Sequence, residues 1–105
     1  MGERTADVCP GDFASTISTL ADVIHKRAHA DTETSYTAKL LNGDFDKLLK
    51  KLSEESAELI MAVKDDDYDH IRYEAADLLY HLLVVLERSG VSLEELAGEL
   101  NSRMQ

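Results

Sequence analysis

The chain has 105 residues, with 21 Asp plus Glu against 11 Lys plus Arg, a formal net charge of −10, and 44% apolar residues. That length suits one domain with a modest core, and the apolar content excludes a disordered acidic tail. The charge excludes a nucleic-acid binder, which needs a basic patch to neutralise phosphates, and a single cysteine, Cys9, excludes an internal disulfide framework.

Residues 1–11 end in Pro10-Gly11 without periodicity and read as a flexible leader to one domain over 12–105. Met1 to Asp7 has no basic stretch leading into an apolar core, and no apolar run approaches the ~20 residues needed to span a bilayer. The expectation is a cytoplasmic protein that engages neither membrane nor nucleic acid. Asp12 predicts the cap of a first helix with Phe13, Ile17, Leu20, Ala21, Ile24 and Ala28 on its apolar face. Ala30 to Thr34 reads as a loop. Ser35 to Gly43 reads as a short helix or turn, stopped at Asn42-Gly43 by a glycine in the left-handed conformation.

Asp44 predicts the cap of a long helix from Phe45 to about Lys64, with Phe45, Leu48, Leu49, Leu52, Leu59, Ile60 and Val63 on one stripe. The aspartate run Asp65 to Asp69 predicts a turn into a helix from about His70 to Arg88. Between Ala75 and Leu86 only Asp77, Tyr80 and His81 interrupt its apolar sequence, so it should be buried nearly all round. Ser92-Leu93-Glu94-Glu95 is a capping box for a last helix, with Leu93, Leu96, Ala97, Leu100 and Met104 on one face. The fold class is all-α: an antiparallel helical hairpin with flanking helices. Its surplus of apolar surface predicts a homodimer in which two hairpins pair into a four-helix-bundle core.

At about 100° per residue, Glu54, Glu55 and Glu58 share with Lys51 one stripe about 100° wide. Glu55 lies beside the apolar face. On the facing helix Glu74, Asp77 and His81 also share a stripe. Acidic helix faces are ordinarily just solvated, as for Glu94, Glu95 and Glu99. Asp77, however, sits among Ala75, Ala76, Leu78 and Leu79, where an unpartnered carboxylate costs several kcal/mol. Lys47, Lys50 and Lys51 offer ordinary salt bridges, but three cations against five convergent carboxylates leave a deficit. Hard oxygen ligands without cysteine select Mg²⁺ or Mn²⁺, and magnesium held by a few carboxylates shares its coordination with substrate phosphates. Phosphoryl chemistry on an activated water is the reading that follows.

Glu54-Glu55-Ser56-Ala57-Glu58 followed by Glu74-Ala75-Ala76-Asp77 matches the EExxE…ExxD signature of the MazG-type all-α nucleoside triphosphate pyrophosphohydrolases. With Ser35-Tyr36-Thr37-Ala38-Lys39-Leu40-Leu41, Lys50-Lys51-Leu52-Ser53 and Asp77-Leu78-Leu79-Tyr80-His81, the chain from Phe13 to Arg103 resembles the phosphoribosyl-ATP pyrophosphohydrolase family of histidine biosynthesis. The resemblance implies Mg²⁺-dependent hydrolysis of phosphoribosyl-ATP to phosphoribosyl-AMP and pyrophosphate by a homodimer. It implies Glu55, Glu58, Glu74 and Asp77 as metal ligands, with Glu54 a further ligand or the group that orients water. That family often has glycine where Ser53 stands, which bears on local helix geometry.

Lys51 reads as a phosphate contact or a plain salt bridge, and Lys39 is placed near substrate by the resemblance alone. Tyr36 stacks on a base or anchors its loop. His81 is a hydrogen-bonded core residue or the group that steadies Asp77. Arg27, Arg72 and Arg103 are candidates for the extra phosphoribosyl group. His25, His29 and His70 show no constellation. The competing functions are a house-cleaning pyrophosphatase of nucleoside or deoxynucleoside triphosphates and a non-catalytic helical dimerisation module.

Overall fold

The computed structural model describes residues 12–105; the predicted leader lies outside them. Five helices follow in order: α1 Phe13–Arg27, α2 Tyr36–Asn42, α3 Phe45–Lys64, α4 Tyr68–Ser89 and α5 Leu93–Arg103, with no strand among the described residues. No helix is long and apolar enough to cross a membrane.

Each helix starts where a short polar side chain satisfies a free amide of the first turn. Asp12 accepts from the Ser15 amide at 2.8 Å, Ser35 from Ala38, Asp44 from Asp46, and Asp67 from His70. Ser92 and Glu95 complete a reciprocal capping box. Because Asp67 is the cap, α4 begins at Tyr68, two residues before the predicted start. Its end is set by Gly90, whose φ of 80° only glycine adopts without strain.

Gly43 works differently from the sequence expectation. Its φ of −89° is not left-handed; a Cβ there would instead lie 2.8 Å from the Lys39 carbonyl oxygen, so glycine is needed for space.

The helices α3 and α4 form the antiparallel hairpin, and α1 and α2 pack on α4. The core is Ile24, Leu48, Leu83 and Val84, ringed by Ile17, Leu20, Leu40, Leu41, Tyr80, Val85 and Leu93. The expected burial of α4 on all sides is not met within one chain: Ala75, Ala76 and Leu82 are exposed. The α3 stripe is likewise half uncovered, with Ile60 58% and Val63 55% exposed. In α5 only Leu93 reaches the core, and Leu100 and Met104 of its expected inner face are exposed.

Seven residues are too few for a helix to hold itself together, so α2 depends on its neighbours. At its first turn the Tyr36 hydroxyl lies 3.1 Å from His81 Nε2, and the Thr37 and Tyr80 hydroxyls are hydrogen-bonded. At its end Arg88 donates to the Leu40 and Gly43 carbonyls at 2.9 and 2.7 Å while lying over the Phe45 ring. Asn42 adds a link to the Ala28 carbonyl. Helix α2 is thus seated at both ends against the hairpin.

Candidate metal and phosphate site

Glu55 and Glu74 face each other across the hairpin and are buried, 2% and 5% exposed. Glu55 Oε2 meets the Lys51 ammonium at 3.2 Å, and Glu74 Oε2 lies 3.0 Å from His70 Nε2. The other oxygen of each, Glu55 Oε1 and Glu74 Oε1, is buried with no hydrogen-bond partner. Two orphaned carboxylate oxygens in one small space are costly unless a cation joins them. Glu58 completes the set: one oxygen from each of Glu55, Glu58 and Glu74 lies within 4.8 Å of the others.

The charges of Glu55 and Glu74 push the Glu58 carboxyl above its usual range even though that side chain is in solvent. The hydrogen bond to Glu55 raises the Lys51 ammonium, so it remains charged. Burial raises the Tyr36 phenol.

A second group, Glu55, Asp77 and His81, is equally compact, but its histidine is already engaged. His81 Nδ1 lies 2.8 Å from the Asp77 backbone carbonyl, which can only accept, so Nδ1 carries the proton. Nε2 then accepts from Tyr36 and has no lone pair left for a metal. His81 is a buried, hydrogen-bonded member of the core whose ring stands 3.7 Å from Asp77 Oδ1.

Of the residues expected at the site, Glu55, Glu58, Glu74, Asp77, Lys51 and His81 come together. Asp77 is partly exposed, its side chain 32% accessible. The buried charge thus falls on Glu55 and Glu74 instead of on Asp77 as its apolar neighbours suggest, because two of those neighbours, Ala75 and Ala76, turn outward. Glu54 is exposed and belongs to neither group. Arg27 is exposed at the last turn of α1, with Arg72 paired to Asp69 and Arg103 to Glu99 in solvent. His70, expected in no constellation, pairs with Glu74, and the sequence signal for that contact is their i, i+4 spacing. His25, likewise expected in none, pairs with Glu87 at 2.7 Å across 62 residues, a contact with no local signal.

A second concavity adjoins the acidic set. A cleft of about 310 Å³ between α2 and the first half of α3 is walled by Tyr36, Lys39, Leu40, Lys47, Leu48 and Lys51. Lys51 therefore stands at the junction, between the cleft and Glu55.

The family described as Phosphoribosyl-ATP pyrophosphohydrolase matches residues 17–104. A phosphoribosyl-ATP pyrophosphatase of Rhizobium rhizogenes is 47% identical over 88 residues, covering 84% of this chain and 85% of the relative. That of Nitrosomonas eutropha is 46% identical over 90 residues, 86% of this chain and 77% of the relative. A Nostoc protein named histidine biosynthesis bifunctional protein HisIE is 48% identical over 94 residues; the match takes in 90% of this chain but 42% of that longer relative.

Proposed function

Because this chain belongs to the phosphoribosyl-ATP pyrophosphohydrolase family, we propose that it hydrolyses phosphoribosyl-ATP to phosphoribosyl-AMP and pyrophosphate in histidine biosynthesis. The observation that carries this reading is the pair of buried, unpartnered oxygens on Glu55 and Glu74, with Glu58 alongside. A helical dimerisation module has no use for such a costly feature.

The donor set fits a hard divalent cation. Glu55, Glu58 and Glu74, with Asp77 at the margin, would hold Mg²⁺ or Mn²⁺, which when bound supplies charge neutralisation on phosphoryl oxygens and acidifies water. The chain's own groups do the rest. Lys51 stays charged beside Glu55 and offers its ammonium to a phosphate oxygen. A carboxylate of this acidic face, Glu54 or Glu55, takes the proton as water adds to phosphorus and the α–β bridging P–O bond breaks, releasing pyrophosphate. His81 fixes the α4 turn that carries Asp77 and, through Tyr36, the start of α2.

We also infer a homodimer. Ala57, Ile60 and Met61 on α3 and Ala75, Ala76 and Leu82 on α4 leave apolar surface in solvent that a second hairpin would cover. The cytoplasm remains the expected location. The reaction is tested by product identity: phosphoribosyl-ATP and Mg²⁺ should yield pyrophosphate and phosphoribosyl-AMP one for one. Release of orthophosphate in place of pyrophosphate would overturn the proposal.

A further inference from the structure

The protein is strongly acidic, yet the cleft between α2 and α3 is lined by three lysines, Lys39, Lys47 and Lys51, against one carboxylate, Asp44. Asp44 is committed elsewhere, accepting from the Asp46 amide at 2.9 Å as the cap of α3. Lys39 and Lys47 have no ion-pair partner among the described residues, and Glu33, beside Lys39, lines a neighbouring concavity and not this one, so the cleft itself is net positive. Three other concavities among the described residues have the opposite or no net sign. One between α1, α4 and α5 contains Asp22, Glu87 and Glu94, one beside the hairpin contains Glu58 and Glu74, and a third balances Glu33 against Lys39. A net-positive, partly apolar cleft in such a chain calls for an anion with an organic body.

Its position narrows the anion. Lys47, Lys51 and Glu55 follow at i, i+4 and i+8 along α3, so Lys47 lies about 12 Å along the helix axis from the acidic set. A phosphate contacted by Lys47 is therefore not the one reacting beside Glu55. Phosphoribosyl-ATP carries two such anions, its triphosphate and the 5′-phosphate of its second ribose, joined by a ribose, a purine and a ribose with the reach to span that interval. The half-exposed Tyr36 ring forms a wall between them, and its hydroxyl is tied to His81. The apolar walls Leu40 and Leu48 suit the ribose and purine faces.

We propose that this cleft seats the 5′-phosphate of the substrate's second ribose, with Lys47 and Lys39 as its counter-charges. It is then the part of the molecule that separates phosphoribosyl-ATP from simple nucleoside triphosphates, which have nothing to place there. The inference rests on the substrate proposed above and assigns to Lys39 and Lys47 a role for which the sequence also offers Arg27, Arg72 and Arg103.

The test reads binding and not turnover. Affinities for phosphoribosyl-AMP and for AMP are measured by calorimetry at fixed Mg²⁺ on the full chain and on Lys39→Ala, Lys47→Ala and the double variant. Melting curves verify that these exposed substitutions leave the fold intact. The wild-type protein should prefer phosphoribosyl-AMP by at least about tenfold, the scale of one or two charge-assisted hydrogen bonds. Each single variant should cut that ratio, the double variant should bring it close to one, and Lys47→Arg should restore part of it. A wild-type ratio near one, or an undiminished ratio in the double variant, would overturn the assignment. A wild-type preference that disappears in the double variant, in a protein that does not hydrolyse phosphoribosyl-ATP, would uphold the cleft and overturn the reaction instead.

Discussion

Replacing Glu74 by glutamine should make the metal-free protein more stable while abolishing its response to metal. The Glu74 side chain is buried, one oxygen has no partner, and one of its oxygens lies within 4.8 Å of one oxygen each of Glu55 and Glu58. Two charges that far apart repel by about 3.5 kcal/mol at an effective dielectric constant near 20. The glutamine is nearly the same size, and its amide can donate to the Glu55 carboxylate. What is lost is the contact with His70, a half-exposed side chain, worth at most about 1 kcal/mol. The net gain is about 2 kcal/mol, or roughly 10 °C in the melting temperature of a domain this size. Melting followed by circular dichroism in EDTA and in Mg²⁺ reads both effects. Wild type should gain about 2.7 kcal/mol when Mg²⁺ stands at a hundred times its dissociation constant. The variant should gain almost nothing and lose turnover by about 100-fold or more. A variant that is less stable in EDTA yet still takes the full Mg²⁺ shift would refute the reasoning.

Glu58 gives the pH counterpart. Its carboxyl is raised in the native chain by Glu55 and Glu74, so the native state binds more protons than the unfolded one between the ordinary value of 4.5 and its own. Metal-free wild-type protein should therefore gain stability relative to Glu58→Gln as pH falls through the raised value. The Mg²⁺ increment should shrink over the same window, and melting curves of both proteins across pH check this. Gly43→Ala sets a Cβ against the Lys39 carbonyl at 2.8 Å and should cost about 1–3 kcal/mol in urea unfolding. Ile60→Asp, at an exposed apolar site on α3, should convert a dimer to monomers in sedimentation equilibrium. A wild-type protein that sediments as a monomer would contradict the paired hairpins.

The elements most legible from residues alone are those set by local chemistry. Caps at Asp12, Asp44 and Ser92 and the i, i+4 apolar spacing place three of the five helix starts, because capping acts within one turn. The acidic stripes of α3 and α4 were legible for the same reason, and the hairpin turns them together. The rest depended on contacts far apart in sequence. Arg88 reaches Leu40 across 48 residues, and Tyr36 reaches His81 across 45. These contacts seat α2 and create the lysine cleft, and periodicity carries no trace of them. The depth of each carboxylate was also illegible. Apolar neighbours in sequence pointed to Asp77, whereas the helix turns Ala75 and Ala76 outward and buries Glu74. Gly43 shows that a glycine after a helix can be required for space with no unusual backbone angle.

The central claim is a pyrophosphohydrolase whose acidic hairpin works on one phosphoribosylated nucleotide. It is tested most directly by kcat/KM for pyrophosphate release, measured with Mg²⁺ on phosphoribosyl-ATP beside ATP, dATP and the other common triphosphates. Phosphoribosyl-ATP should be turned over far faster than any of them. A simple triphosphate hydrolysed as well or better would contradict it and identify a house-cleaning enzyme, while no pyrophosphate from any substrate would leave a helical dimerisation module.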